Sequence, residues 1–224
     1  MSDPHLEAVL WDMDGVIADT AEYHYQAWKE IFGERGVAFS KADFMRYFGR
    51  RHDTIVRFAL GDKLSAAEAQ TISEKKQALY RRLVSTNVIP LPGAVPLIKA
   101  LNRQGIKTGI GTSAVPDNVA VILQGLGIEN CFQAIAYGTE VPEGKPSPAI
   151  FLLAAQKLGV KPVNCVVIED AIAGVDAARR AGMKCVAVTN SHPGDKLRDA
   201  DLVVGSLEKV NVQVLKGLFY PAHG

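Results

Sequence analysis

The chain has 224 residues, 25 Lys+Arg against 24 Asp+Glu for a formal net charge of +1, and 48% apolar against 22% charged residues. That length buries a substantial core without disulfide or metal staples, and it allows one large domain or one and a half. The balanced charge argues against a broadly basic nucleic-acid-binding surface, although an anionic small molecule needs only a few well-placed cations.

The N-terminal Met1-Ser2-Asp3-Pro4-His5 is polar and lacks the basic start and apolar run of a signal peptide. Ala8-Val9-Leu10-Trp11 is a consecutive apolar run, the pattern of a parallel strand covered by helices on both faces. It ends at once in Asp12-Met13-Asp14-Gly15, acids placed where open α/β sheets carry their active sites. From Thr20 to about Val84 the texture is helical. Tyr23, Ala27, Ile31 and Phe32 repeat at helical spacing, as do Ala69, Ile72, Lys76, Leu79, Tyr80 and Leu83, with Lys76 the polar exception. Pro90-Leu91-Pro92-Gly93 then breaks the chain.

Beyond the break, helix and strand alternate. Helices are predicted over 94–104 and 116–126, and strands over 106–111 and 134–137. Ser147 reads as an N-cap with Pro148 at the first helical position of a helix running to Leu158. A strand over 166–168 ends in Glu169-Asp170, a helix runs to about Ala181 and stops at Gly182, and strands over 185–188 and 202–204 complete the set. This alternation predicts an α/β fold, a doubly wound (Rossmann-like) parallel sheet. The helical stretch reads as an inserted subdomain over residues 17–91, with 1–16 and 92–224 forming the core. Cys131, Cys165 and Cys185 form no CxxC pair and no Cys/His metal spacing, which fits a reducing compartment. No apolar run is long enough to span a membrane, so the expectation is a soluble, cytoplasmic chain with neither membrane nor nucleic-acid partner.

Four clusters fall at strand ends: Asp12/Asp14, Thr112/Ser113, Lys145 and Glu169/Asp170. A parallel sheet brings all its strand C-termini to one edge, so Asp12 and Asp170 can share one crevice. Several carboxylates there repel one another and call for a cation at neutral pH. Oxygen donors without a His/Cys cluster suggest Mg²⁺. A carboxylate can also be the nucleophile that accepts a phosphoryl group, a second can protonate the leaving oxygen and later activate water, and Thr112 and Lys145 can hold phosphoryl oxygens. Each cluster alone is ordinary: Asp-x-Asp in a turn, Thr112-Ser113 as a helix cap, Glu169-Asp170 as an acidic helix start. Their order along the strands is what distinguishes them. Gly109-Ile110-Gly111 lacks the third glycine of a dinucleotide fingerprint, and the chain has no phosphate-loop lysine motif.

In this order the residues resemble the haloacid dehalogenase superfamily of phosphotransferases. Asp12-Met13-Asp14-Gly15-Val16 is similar to its first motif, Thr112-Ser113 to the second, and Gly144-Lys145-Pro146 to the third. Val167 to Ala171, with Ala173-Gly174 and Ala177-Ala178 through Gly182, is similar to the fourth. The resemblance implies that Asp12 is the nucleophile and Asp14 the acid/base. It implies that Asp12, the backbone carbonyl of Asp14, Glu169 and Asp170 surround Mg²⁺, and that the inserted helices are a cap closing over the site. Asp14 argues against a dehalogenase, since those members lack the second aspartate.

Asp19-Thr20-Ala21-Glu22-Tyr23-His24-Tyr25-Gln26-Ala27-Trp28 is similar to the β-phosphoglucomutase-like branch, in which the matching Thr and His lie at the hinge. Thr20 and His24 would hold these places, with His24 aligning Asp14 or serving only as a packed helix residue. Gly49-Arg50-Arg51-His52 resembles the cap segment that binds a distal phosphate. The spacing differs by one residue, so the contact falls to Arg51 or to Arg50, and Arg51 is taken. Lys76, followed by Tyr80, matches a cap position that reaches the substrate. One departure stands out: where the mutases carry Ser-Lys-Asn after the second motif, this chain has Ala114-Val115-Pro116, with Asn118 shortly after. Ser113 and Asn118 are the polar groups of this segment expected on the substrate. A mutase must grip a bisphosphate at both ends, whereas a phosphatase needs one phosphate and water.

The resemblance thus implies a Mg²⁺-dependent phosphatase acting on a small phosphorylated metabolite, a sugar or polyol phosphate, through an aspartyl phosphate. A hexose-phosphate mutase is the alternative, and a non-catalytic phosphate-binding protein is disfavoured by the intact motif set. The expected partner is a small-molecule phosphate ester, and the chain is expected to be a monomer or weak homo-oligomer.

Overall fold

A computed structural model describes residues 3–47, 52–61 and 64–220. The first strand, β1 (Ala8–Trp11), is buried along its whole length. Among the described residues, four helices follow as an insert: α1 (Ala21–Gly33), α2 (Lys41–Tyr47), α3 (His52–Leu60) and α4 (Ala66–Val84). α4 starts on a reciprocal cap, in which Ser65 Oγ accepts from the Glu68 N–H and the Glu68 carboxylate accepts from the Ser65 N–H. α1 and α4 bury Trp28, Phe32, Ile72 and Tyr80 in a core continuous with that of the sheet.

The chain enters and leaves the insert side by side. Asp19 N donates to Ile89 O at 2.9 Å, Leu91 N donates to Ile17 O at 3.0 Å, and Ala18 bridges Pro90 antiparallel. Two short crossings therefore carry the insert, next to the Asp12–Asp14 turn.

The remaining elements are α5 (Ala94–Arg103), β2 (Lys107–Thr112), α6 (Pro116–Leu126), β3 (Ala134–Tyr137), α7 (Ala149–Leu158), β4 (Cys165–Glu169), α8 (Ile172–Arg180), β5 (Lys184–Val188), β6 (Leu202–Val204) and α9 (Val212–Gly217). The six strands form one parallel sheet in the order β3-β2-β1-β4-β5-β6, as the alternation of elements predicts. The strand order reverses between β1 and β4, the place where such sheets open a crevice. Val9 and Trp11 join one core layer, with Ile98, Ile122 and Leu215. Ala8 and Leu10 join the other, with Phe151 and Ala177. That explains why the strand residues are apolar in succession rather than alternating.

Several elements differ from expectation. β2 begins one residue later, because Ile106 N closes back on Leu101 O at the end of α5. α7 begins at Ala149, with Pro148 in the cap position, and Ser147 Oγ accepts from Ala149 N at 3.4 Å. α9 was not predicted; it is short, and Asn211 caps it by accepting from Gln213 N and Val214 N. All three cysteines are free thiols, and no helix among the described residues is long and apolar enough to cross a membrane.

Candidate active site

The sheet register builds the acidic cluster. Trp11 pairs with Ile168, and Asp12 N donates to Ile168 O at 3.0 Å, which sets Asp12 beside Glu169. Asp12, Glu169 and Asp170 are buried and can bring one oxygen each within 4.8 Å of one another. Lys145, between α7 and the preceding strand, is the cation among them: its Nζ donates to Asp12 Oδ1 at 2.5 Å and to Glu169 Oε1 at 2.7 Å. The other Glu169 oxygen accepts from the backbone N–H groups of Asp170 and Ala171, each at 2.8 Å. Protein donors thus occupy both Glu169 oxygens, which leaves Asp12 and Asp170 as the carboxylates with most capacity to offer.

Two glycines make room for this cluster. A Cβ on Gly15 would overlap the Asp170 carboxylate, and Gly15 sits at φ +84°, a left-handed conformation that favours glycine. A Cβ on Gly174 would overlap the Glu169 carboxylate.

The charge balance is unfavourable as it stands. Burial, with Glu169 and Asp14 nearby, pushes the Asp12 carboxyl up to about 7 against the pull of Lys145. Burial, then the charges of Glu169 and Asp12, push Asp170 well above the carboxylate range. Burial opposes the Lys145 charge, yet Asp12 and Glu169 hold its ammonium above the usual lysine range. Three carboxylates beside one ammonium, all oxygen donors with glycine-made space around them, fit a hard divalent cation such as Mg²⁺.

Asp14 lies on the insert side of the same turn and is held by residues of the insert. Thr20 Oγ1 donates to Asp14 Oδ1 at 2.5 Å, and His24 Nε2 lies 3.3 Å from the same oxygen. Thr20 stands at the N-cap of α1 but makes no side-chain cap bond, its hydroxyl being given to Asp14. Lys76, fully buried on α4, places Nζ 2.6 Å from His24 Nδ1. An ammonium only donates, so Nδ1 is the acceptor and Nε2 carries the proton that His24 donates to Asp14.

Tyr80 stacks on the His24 ring at 3.9 Å, and Lys76 Nζ lies over the Tyr80 and Trp28 rings. Burial, then the Lys76 charge, drive His24 down to about 4, so the imidazole is neutral. Burial drives Lys76 down to about 7 against the attraction of Asp14. At Asp14 burial works upward, but His24, Thr20 and Lys76 together outweigh it and hold the carboxyl below its ordinary value. Asp14 Oδ1 takes both donors, and no donor among the described residues engages Oδ2.

Thr112 ends β2, buried, with Oγ1 accepting from Ala114 N at 3.0 Å, which leaves its hydroxyl proton for another acceptor. Ser113 lines a cleft of about 880 Å³ between the insert and the sheet, opposite Gln70, Ser73 and Glu74 of α4. Asn118, expected on the substrate, pairs with the insert in this structure. It is buried in the first turn of α6, where Nδ2 donates to Gln77 Oε1 at 2.7 Å and Oδ1 accepts from Arg81 at 3.3 Å. The start of α6 faces α4, so the insert takes up the Asn118 amide, and Arg81 also reaches Asp117 at 3.7 Å. Arg50 and Arg51 lie outside the described residues.

Two residues near the cluster carried no motif. Ser191 Oγ donates to Asp170 Oδ2, and Asn190 Nδ2 donates to Gly15 O at 2.8 Å. The available signal was a polar run, Thr189-Asn190-Ser191, directly after β5 at the same sheet edge.

Residues 6–182 match the haloacid dehalogenase-like hydrolase family. The chain is 37% identical over 217 residues to β-phosphoglucomutase of Bacillus subtilis, covering 94% of each. It is 33% identical over 182 residues to fructose-1-phosphate phosphatase of Escherichia coli, covering 80% of this chain and 95% of that one. Its fold is similar to the crystal structure of β-phosphoglucomutase from Clostridium difficile, with a TM-score of 0.86 at 31% identity over 96% of this chain and 97% of the other.

Proposed function

Since the chain belongs to the haloacid dehalogenase-like hydrolase family and is an enzyme acting on phosphate esters, we propose that it is a Mg²⁺-dependent phosphatase for a sugar or polyol monophosphate. The observation that carries the choice of phosphatase over mutase is the segment after the second motif. Ala114, Val115 and Pro116 offer no side-chain donor, and the Asn118 amide is engaged by Gln77 and Arg81. That leaves this segment without a side-chain grip on a second phosphate. The relatives at similar identity include both a mutase and a phosphatase, so overall similarity does not decide between them.

In the proposed reaction Asp12, one oxygen held by Lys145, attacks phosphorus with the other. The Asp12 O–P bond forms as the ester P–O bond breaks, and Asp14, which takes a proton from solvent onto Oδ2 once the substrate's negative charge is bound beside it, passes that proton to the leaving oxygen. Asp14 then takes a proton from water, whose oxygen attacks phosphorus and frees Asp12 and inorganic phosphate. Lys145 and the Thr112 and Ser113 hydroxyls hold the equatorial phosphoryl oxygens, where charge is spread in the transition state. Asp12, Asp170 and the Asp14 backbone carbonyl would hold Mg²⁺, with Glu169 behind them, and the cation neutralises phosphoryl charge when bound. His24 and Thr20 aim Asp14, and the insert acts as a cap that excludes bulk water.

The test is a panel of sugar and polyol phosphates with Mg²⁺, together with β-glucose 1-phosphate plus a trace of the 1,6-bisphosphate. Phosphate release without matching glucose 6-phosphate is expected. Glucose 6-phosphate formed in large excess over phosphate would overturn the phosphatase reading. Asp12→Asn is expected to abolish turnover on every substrate.

A further inference from the structure

We propose that Ser191 and Asn190, on the loop leaving β5, fix the Asp170 carboxylate and the Gly15 peptide and so make the acidic cluster selective for a small six-coordinate cation over a larger one. The inference rests on the reading of that cluster as a Mg²⁺ site.

The loop reaches the site by register. Glu169 pairs with Ala187, so β5 continues past the end of β4 and carries residues 189–191 over the cluster. There Ser191 Oγ donates to Asp170 Oδ2, which stops rotation of that carboxylate. The same Oδ2 packs against the Cα of Gly15, so closely that any Cβ would overlap it. Asn190 Nδ2 donates to Gly15 O at 2.8 Å and pins the peptide next to Asp14, whose carbonyl is the proposed backbone ligand. Side chains from a third strand end thus tie the β1 turn to the end of β4.

Pinning matters differently for different cations. Mg²⁺ demands near-ideal octahedral geometry at about 2.0–2.1 Å, while Ca²⁺ accepts about six to eight oxygens at 2.3–2.6 Å in flexible arrangements. A carboxylate held in one rotamer favours the first and hinders the second. Outer hydrogen bonds of this kind typically change metal affinity by about 10–100-fold.

The experiment uses the full chain without substrate, titrated with MgCl₂ or CaCl₂ and read by calorimetry and by the rise in melting temperature. Ser191→Ala is expected to weaken Mg²⁺ binding by roughly tenfold or more and Ca²⁺ binding by less than about threefold. Ser191→Thr, which keeps the hydroxyl, is expected to retain the wild-type preference. Asn190→Ala, at an exposed position, serves as the second variant should Ser191→Ala fail to fold, and its preference is expected to shift the same way. Unchanged Mg²⁺ affinity, or equal losses for both cations, would overturn the proposal while leaving the Mg²⁺ site intact. Wild-type protein that binds neither cation would instead overturn the Mg²⁺ reading, and this inference with it.

Discussion

Lys76 and His24 meet across the insert, 52 residues apart in sequence, with Nζ 2.6 Å from Nδ1. The contact decides which imidazole nitrogen carries the proton, and so which one points a donor at Asp14. A buried ammonium among aromatic rings thereby controls a proton aimed at Asp14, the proposed acid/base.

That ammonium has a pH-dependent cost. The unfolded chain holds the Lys76 proton up to the ordinary 10.5, the folded chain only to about 7. Between those values the unfolded state binds more protons, so rising pH favours the fold. Lys76→Met removes the buried charge. It is expected to raise stability by roughly 2–4 kcal/mol below pH 7, less whatever the lost His24 bond contributed, with the gain fading toward pH 10.5. Urea unfolding of both proteins between pH 6 and 10 checks this. Activity is expected to move the other way, with kcat falling as His24 loses its fixed tautomer.

Thr20→Val keeps the side-chain shape and removes the donor 2.5 Å from Asp14 Oδ1. A hydrogen bond to a charged group contributes about 1.5–3 kcal/mol, so kcat on an alkyl phosphate should fall by about 10–100-fold. The loss should be smaller on p-nitrophenyl phosphate, whose leaving group needs no proton. Thr20→Ser should restore most of the rate. Equal losses on both substrates would mean that Thr20 does not act on proton delivery to the leaving group.

Much of this was legible because the chemistry sits at strand ends. A run such as Val166-Val167-Ile168 followed by Glu169-Asp170 states both where the strand ends and which edge is functional, and the parallel sheet brings those ends together. What was illegible depends on which side chain faces which across the fold. Asn118, shortly after the second motif, reads as a substrate contact, and nothing local says that α6 starts against α4 and that Gln77 and Arg81 bond its amide. Ser191 had no motif because its partner lies 21 residues away on another loop. α9 is too short for helical periodicity to register, and only its Asn211 cap marked it.

Asn118→Ala tests the seam between the insert and the sheet domain. The change removes the Asn118 donor from Gln77 Oε1 and an acceptor from Arg81, both at the boundary that the proposed cap motion would open. A cost of about 1–3 kcal/mol in closed-state stability is expected. Substrate KM should rise several-fold while Mg²⁺ affinity stays unchanged, and small-angle scattering should record a more open average shape. If Asn118 were instead a direct phosphate ligand, KM would rise with no change in shape.

Gly174→Ala tests the cradle of the acidic cluster. The new methyl would overlap the Glu169 carboxylate, which is anchored by Lys145 and by the N–H groups of Asp170 and Ala171 and has no low-cost place to go. Displacing it unpairs buried donors and loosens Lys145 from its second carboxylate. A stability loss of about 2–4 kcal/mol and a kcat loss of at least about 100-fold are expected. Gly33→Ala is the control, because nothing lies within 4 Å of a Cβ there. At the last position of α1 the same change should be neutral or stabilising by up to about 1 kcal/mol, since alanine loses less backbone entropy in a helix. Thermal melts and steady-state rates on the two variants read both outcomes. Wild-type activity in Gly174→Ala would mean that the Glu169 carboxylate can move without harm and that its anchoring is not part of the working site.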